Sequence, residues 1–66
     1  MRNTVKVQRA IKNIGQSELA EKLGVSRQTI HAIETGKFVP STLLALKLAS
    51  VFEMPVEQIF ELEEGD

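Results

Sequence analysis

Glycine and proline divide this chain into segments of helical length, and none of them contains a run of alternating apolar and polar residues flanked by hairpin turn signals. The pattern predicts an all-α fold with five helices. The first runs from about Asn3 to Lys12, with Asn13 as a left-handed terminal residue because its short polar side chain tolerates positive φ. The second runs from Gln16 to Leu23, with Gly15 as N-cap, Glu18 in the first turn and Gly24 closing the helix. The third opens on Ser26 as N-cap, turns Ile30 and Ile33 inward, and ends near Thr35 before Gly36. The fourth follows Pro40 with Ser41 as N-cap. Its Leu43, Leu44, Leu46, Leu48, Val51 and Phe52 predict the most buried helix of the molecule. The fifth starts at Pro55, whose missing N–H suits a first helical turn, and holds Val56, Ile59 and Phe60. The tail from Glu61 to Asp66 carries four acids and is expected to be disordered beyond Leu62.

Sixty-six residues make one domain. A chain so short buries only about 60% of its unfolded surface, which leaves no room for a second lobe or a deep enzyme cleft. It has no cysteine, so neither disulfides nor a thiolate metal site supplement the core. No stretch approaches the ~18 apolar residues of a membrane span, and Met1-Arg2-Asn3-Thr4 has no signal-peptide pattern, so the expected location is the cytoplasm. The net charge of −1 hides an asymmetry. Residues 1–37 hold seven basic side chains and three acidic ones, whereas residues 38–66 hold Lys47 and six acids. Such a division suits one side facing a polyanion and another turned away from it, or equally two solvated faces.

Two short helices joined by a few residues that include a glycine make a helix-turn-helix, whose second helix reads the DNA major groove. Here Gln16 to Leu23 and Ser26 to Glu34 have that arrangement, with the motif spanning about residues 16–35. Ala20 has to be small where the helices cross, Gly24 permits the tight turn, and Ile30 and Ile33 pack the second helix on the first. There is no nucleophile with a base partner, no metal cluster and no phosphate-binding glycine loop, which excludes the usual enzyme classes, and nothing calls for a cofactor or small-molecule ligand. His31 stands without a second histidine or cysteine and is read as a solvated residue.

Gln16, Leu19-Ala20, Gly24-Val25-Ser26, Ile30, Ile33-Glu34, Gly36, Pro40, Leu46 and Ala49 occur together without a gap over two thirds of the chain. In these features the chain resembles the Cro/C1-type (XRE) helix-turn-helix family of the phage lambda and 434 repressors. The resemblance implies a lambda-repressor-like five-helix bundle and sequence-specific binding of double-stranded DNA. Matched position by position, it makes Arg27, Gln28 and Ala32 the base-facing residues. The chemistry agrees: arginine pairs with guanine O6 and N7, glutamine with adenine N6 and N7, and Ala32 offers only apolar contact. Gln16, Ser26, Thr29 and Lys37 are the expected phosphate contacts. Arg9 and Glu34 match a pair whose salt bridge would link helix 1 to the end of helix 3.

The expected role is a transcriptional regulator, a repressor acting as a homodimer on an inverted-repeat operator, because one recognition helix covers too few base pairs to stand out in a genome. A DNA-binding antitoxin or restriction-modification controller, and an interaction module that has lost DNA binding, are the competing readings. Met54, Val56, Ile59, Phe60 and Leu62 form the expected dimer interface, since they supply more apolar side chains than one short helix can bury. Two departures from the family pattern stand out. Val7 and Ile11 occupy usually polar positions and Gln8 a usually apolar one, so either helix 1 is rotated in its groove or the pair is an exposed contact surface. Glu53-Met54-Pro55 also replaces the more usual glycine and serine before helix 5.

Overall fold

Local hydrogen bonds set most of the helix ends, and they do so where the punctuation predicts. The computed structural model describes residues 1–66 throughout. Its four α-helices are α1 (Val5–Lys12), α2 (Gln16–Leu23), α3 (Arg27–Glu34) and α4 (Thr42–Phe52). Ser26 and Ser41 both stand in extended backbone, and each hydroxyl accepts the N–H three residues on, from Thr29 and Leu44, at 3.2 Å. Asn13 and Gly24 take the left-handed conformation after α1 and α2, at φ 56° and 73°.

The chain ends depart from the all-α, five-helix expectation. Arg2–Asn3 is a short strand, β1, so α1 begins at Val5 rather than at Asn3. Val56–Gln58 makes only a single 3₁₀ turn, after which Phe60–Glu61 forms β2, antiparallel to β1 with Arg2 opposite Glu61 and Asn3 opposite Phe60. The fifth helix does not form because its carbonyls have other partners. Thr4 donates its N–H to the Ile59 oxygen (2.8 Å) and its hydroxyl to the Gln58 oxygen (3.1 Å), groups that a continuing helix would need four residues further along. The acidic tail also does not trail away as expected. Glu63 and Asp66 close a turn on each other, and both carboxylates meet the Met1 ammonium, at 3.1 and 3.2 Å.

The core is a single cluster of ten side chains drawn from every helix: Val5, Leu19, Ala20, Leu23, Ile30, Ile33, Leu44, Leu48, Phe52 and Ile59. Ala20, Ile30 and Ile33 are buried where α2 and α3 pack together. Gly24 at positive φ turns the chain between them with open space around it, so it is conformation rather than crowding that calls for glycine. One expectation about burial fails, and one open choice is decided. Leu43 and Leu46 of α4 are exposed, because only one side of that helix meets the bundle. Val7 and Ile11 are exposed as well, so α1 is not rotated to bury them; Gln8 instead donates to the Thr4 hydroxyl at 3.3 Å.

Candidate nucleic-acid interface

The Ser26 cap points the first turn of α3 outward, and that turn carries Arg27 and Gln28, both exposed. Ala32 lies one turn beyond Gln28 and is half-buried. Together with His31, Thr35 and Lys37 these residues line a shallow groove of about 250 Å³ along the outer side of α3. Arg27 and Lys37 take part in no ion pair within the protein, so two cations face solvent here without internal compensation. Lys37 is placed by its backbone N–H, which bonds the Ala32 oxygen at 2.9 Å. The three predicted base-reading positions therefore do converge on one surface.

The predicted phosphate contacts divide. Lys37 is free, but the Ser26 and Thr29 hydroxyls lie 3.0 Å apart and bond each other at the start of α3. Gln16 is half-buried and its amide nitrogen is engaged, donating to Glu34 Oε1 at 3.0 Å and lying 3.4 Å from His31 Nδ1. A carboxylate only accepts, so the amide NH₂ must face it. The remaining Gln16 oxygen cannot donate to phosphate. What α2 offers a phosphate is its first backbone N–H groups, which have no capping side chain.

Arg9 and Glu34 meet as the resemblance implied. Arg9 Nε and Nη2 donate to the two Glu34 oxygens at 2.6 and 3.2 Å, and Arg9 Nη1 bonds the Ile14 oxygen at 3.0 Å. The side chains are 15% and 5% exposed. Burial pushes the Glu34 carboxyl up, but the hydrogen bonds from Arg9 and Gln16, helped by the charges of Arg9 and Lys6, outweigh it and hold the group below the ordinary glutamate range. One carboxylate thus ties α1, the start of α2 and the end of α3, which fixes the angle of the groove-lining helix.

Asn3 is a positioning residue that sequence reasoning missed. Its amide donates to the Ile33 oxygen at 2.8 Å, while its own side-chain oxygen accepts the Val5 N–H at 3.2 Å. It therefore engages the first N–H of α1 and holds the last turn of α3. Nothing local marks its contact with α3, because that partner lies 30 residues away. His31 was read as simply solvated. It is exposed, but it lies on the groove and touches Gln16.

The expected C-terminal dimer surface loses Ile59, only 1% exposed, to the protomer's own core, while Met54 and Phe60 are half-buried against that core. Leu62 alone of the five stands fully exposed, among carboxylates.

Comparison with known proteins agrees with this geometry. The family described as helix-turn-helix matches residues 5–59, from the start of α1 to the last core side chain. A protein of Methanocaldococcus jannaschii described as an uncharacterized HTH-type transcriptional regulator is 52% identical over 66 residues, covering the whole of both chains. A Bacillus subtilis protein of the same description is 52% identical over 64 residues, 97% of each chain. One from Archaeoglobus fulgidus is 47% identical over the whole of this chain and 93% of its own. No helix is long and apolar enough to cross a membrane. With its two packed helices, its turn glycine and its groove-lining second helix, the chain belongs to the Cro/C1-type (XRE) helix-turn-helix family of regulators.

Proposed function

We propose that this chain is a sequence-specific double-stranded DNA-binding transcriptional regulator that acts as a homodimeric repressor on an inverted repeat. The observation that carries the reading is the exposed first turn of α3, where Arg27 and Gln28 project without internal partners from a helix held at three points by the core, Glu34 and Asn3. Laid in a major groove, Arg27 reads guanine, Gln28 reads adenine, and Ala32 meets a thymine methyl. Lys37 and the N-terminal amides of α2 hold phosphates on either side, with Ser26, Thr29 and Gln16 keeping α3 in place more than contacting DNA themselves. Occupying a promoter requires nothing from the protein beyond binding and pairing, and repression follows from that alone. The relatives, described as transcriptional regulators, support the same reading.

Fluorescence anisotropy on random duplex and on sequences selected from a random pool tests it. Binding to random duplex should fall with salt, with a slope of log K against log salt close to −0.9 for each phosphate neutralised. Arg27→Ala and Gln28→Ala should each weaken binding to the selected sequence by roughly 1–3 kcal/mol and leave random duplex almost unaffected. A flat salt dependence would identify a protein-interaction module instead.

A further inference from the structure

His31 lines the groove beside Arg27, Gln28 and Lys37, yet the assignment of base and phosphate contacts leaves it without a task. It is exposed on α3, one turn beyond Arg27. Its Nδ1 lies 3.4 Å from Gln16 Nε2, and that amide nitrogen is already fixed, because it donates one hydrogen to Glu34 Oε1 at 3.0 Å. An amide nitrogen only donates, so Nδ1 accepts the other hydrogen and the ring's own proton stands on Nε2. The neutral imidazole is thus latched to the start of α2 by a contact that is long and therefore weak.

Protonation reverses that contact. An imidazolium carries N–H on both nitrogens, so Nδ1–H would face the Gln16 NH₂, donor against donor. Gln16 cannot turn its amide over, because its oxygen would then meet the Glu34 carboxylate, which accepts from Arg9 as well. The exposed ring has to swing away instead. Its departure frees the second Gln16 amide hydrogen and adds a third cation to Arg27 and Lys37. The charged groups about the ring are Arg27 and Glu34 on its own helix, Lys37 just after it, and Arg9, which reaches Glu34 from α1; α2 presents the neutral Gln16. Glu34 is turned to Arg9 and Gln16, and no carboxylate lines the groove. Three cations around one groove repel one another until an anion lies among them.

We propose that His31 is a proton-linked DNA contact: neutral, it is latched on Gln16; protonated, it turns onto a phosphate together with the freed Gln16 amide hydrogen, so that binding DNA takes up a proton. The inference rests on the reading of this groove as the DNA-facing surface. Such a linkage has one source on this chain. Imidazole is the one side chain that ordinarily titrates between about pH 5 and 8, and the chain has a single histidine and no cysteine. Hydrogen bonds to Glu63 and Asp66 hold the Met1 ammonium above its ordinary range, and Glu34 stays below that of a glutamate.

Fluorescence anisotropy of the full chain at about pH 8 and about pH 5.5, on random duplex and on sequences selected from a random pool, tests it. Affinity for both should rise about fivefold or more on acidification at fixed salt, and the slope of log K against log salt should steepen by about 0.9 as one more phosphate is neutralised. His31→Ala and His31→Gln should keep the helical circular dichroism and lose the pH dependence. His31→Lys, whose charge is permanent, should bind at the higher pH about as tightly as the parent does at the lower. Calorimetry in buffers of different ionisation heat should show the parent taking up a fraction of a proton, at most about one, and His31→Gln none. The inference is overturned if the parent binds equally well at both pH values, if acid weakens its binding, if His31→Gln keeps the parent's pH dependence, or if His31→Lys binds no tighter than His31→Gln at the higher pH. Each of these leaves the DNA reading standing, whereas failure to bind any duplex at either pH overturns both.

Discussion

Helices α3 and α4 lie in one small core yet present opposite chemistry to solvent. Each turns apolar residues inward, Ile30 and Ile33 from α3 and Leu44, Leu48 and Phe52 from α4. Outward, α3 shows Arg27, Gln28 and His31, whereas α4 shows Leu43 and Leu46. A polar outer face is well solvated when alone, so its angle can be set by a few hydrogen bonds and kept ready for a charged ligand. An apolar outer face gains nothing from water and is stabilised only by being covered. Inner stripes hold such a domain together, and it is the outer stripes that distinguish what each helix meets.

The sharpest way to break that distinction is to cut the two sides of α4 separately. Leu48→Ala, at a fully buried position, should cost roughly 3–4 kcal/mol of unfolding free energy. Leu46→Ala should change protomer stability by no more than about 0.5 kcal/mol, any further loss varying with protein concentration. Equal, concentration-independent losses in urea titrations would mean that α4 has no free side. For α3 the corresponding cut is polar. Glu34→Ala leaves Arg9 and Gln16 without their acceptor and should cost about 2–3 kcal/mol, below the 3–5 of a fully buried pair because both side chains retain some water contact. Its double-mutant cycle with Arg9→Ala should show clear non-additivity.

The same carboxylate gives a pH dependence of definite sign. Glu34 titrates lower in the folded than in the unfolded chain, so its contribution is complete above the ordinary glutamate value of about 4.3 and is lost as pH falls through the folded-state value. Glu34→Gln should flatten that acid limb of a stability profile; an unchanged limb would assign the acid sensitivity elsewhere. The smallest effect lies where α4 ends. Glu53 sits in the left-handed region at φ 55°, which is unfavourable for a side chain that branches no hydrogen bond back to its own backbone. Glu53→Gly should stabilise by about 0.5–1 kcal/mol, since the ion pair it removes, with Lys12 at 3.8 Å, is largely exposed. Thermal melts that showed a loss instead would point to a stronger role for that pair.

Asn13 and Glu53 also mark how far local reading reaches. Both occupy the same backbone conformation at a helix end, but only asparagine advertises it. The starts of α2, α3 and α4 were legible from Gly15, Ser26 and Ser41, and the end of α2 from Gly24, because a cap is satisfied within three or four residues. Arg27, Gln28 and Ala32 were reached through the family resemblance, with the Ser26 cap fixing where their helix starts. Arg9–Glu34 was reached only through the family resemblance, and Asn3 not at all, because their partners lie 25 and 30 residues away.

Sequence by itself therefore determined the four α-helices and the turn between α2 and α3, since each depends on bonds made within a few residues of where they are written, and the family resemblance added the side chains offered to a groove. Tertiary structure alone decided that residues 60–61 pair with residues 2–3 instead of continuing a helix, that the Gln16 amide is spent on Glu34, and that Ile59 lies in the core while Leu43 and Leu46 remain outside. The physical reason is common to all three. Periodicity marks which residues are apolar, but which of two apolar sides is buried, and which of two donors reaches a carbonyl, depends on what the rest of the chain brings beside them.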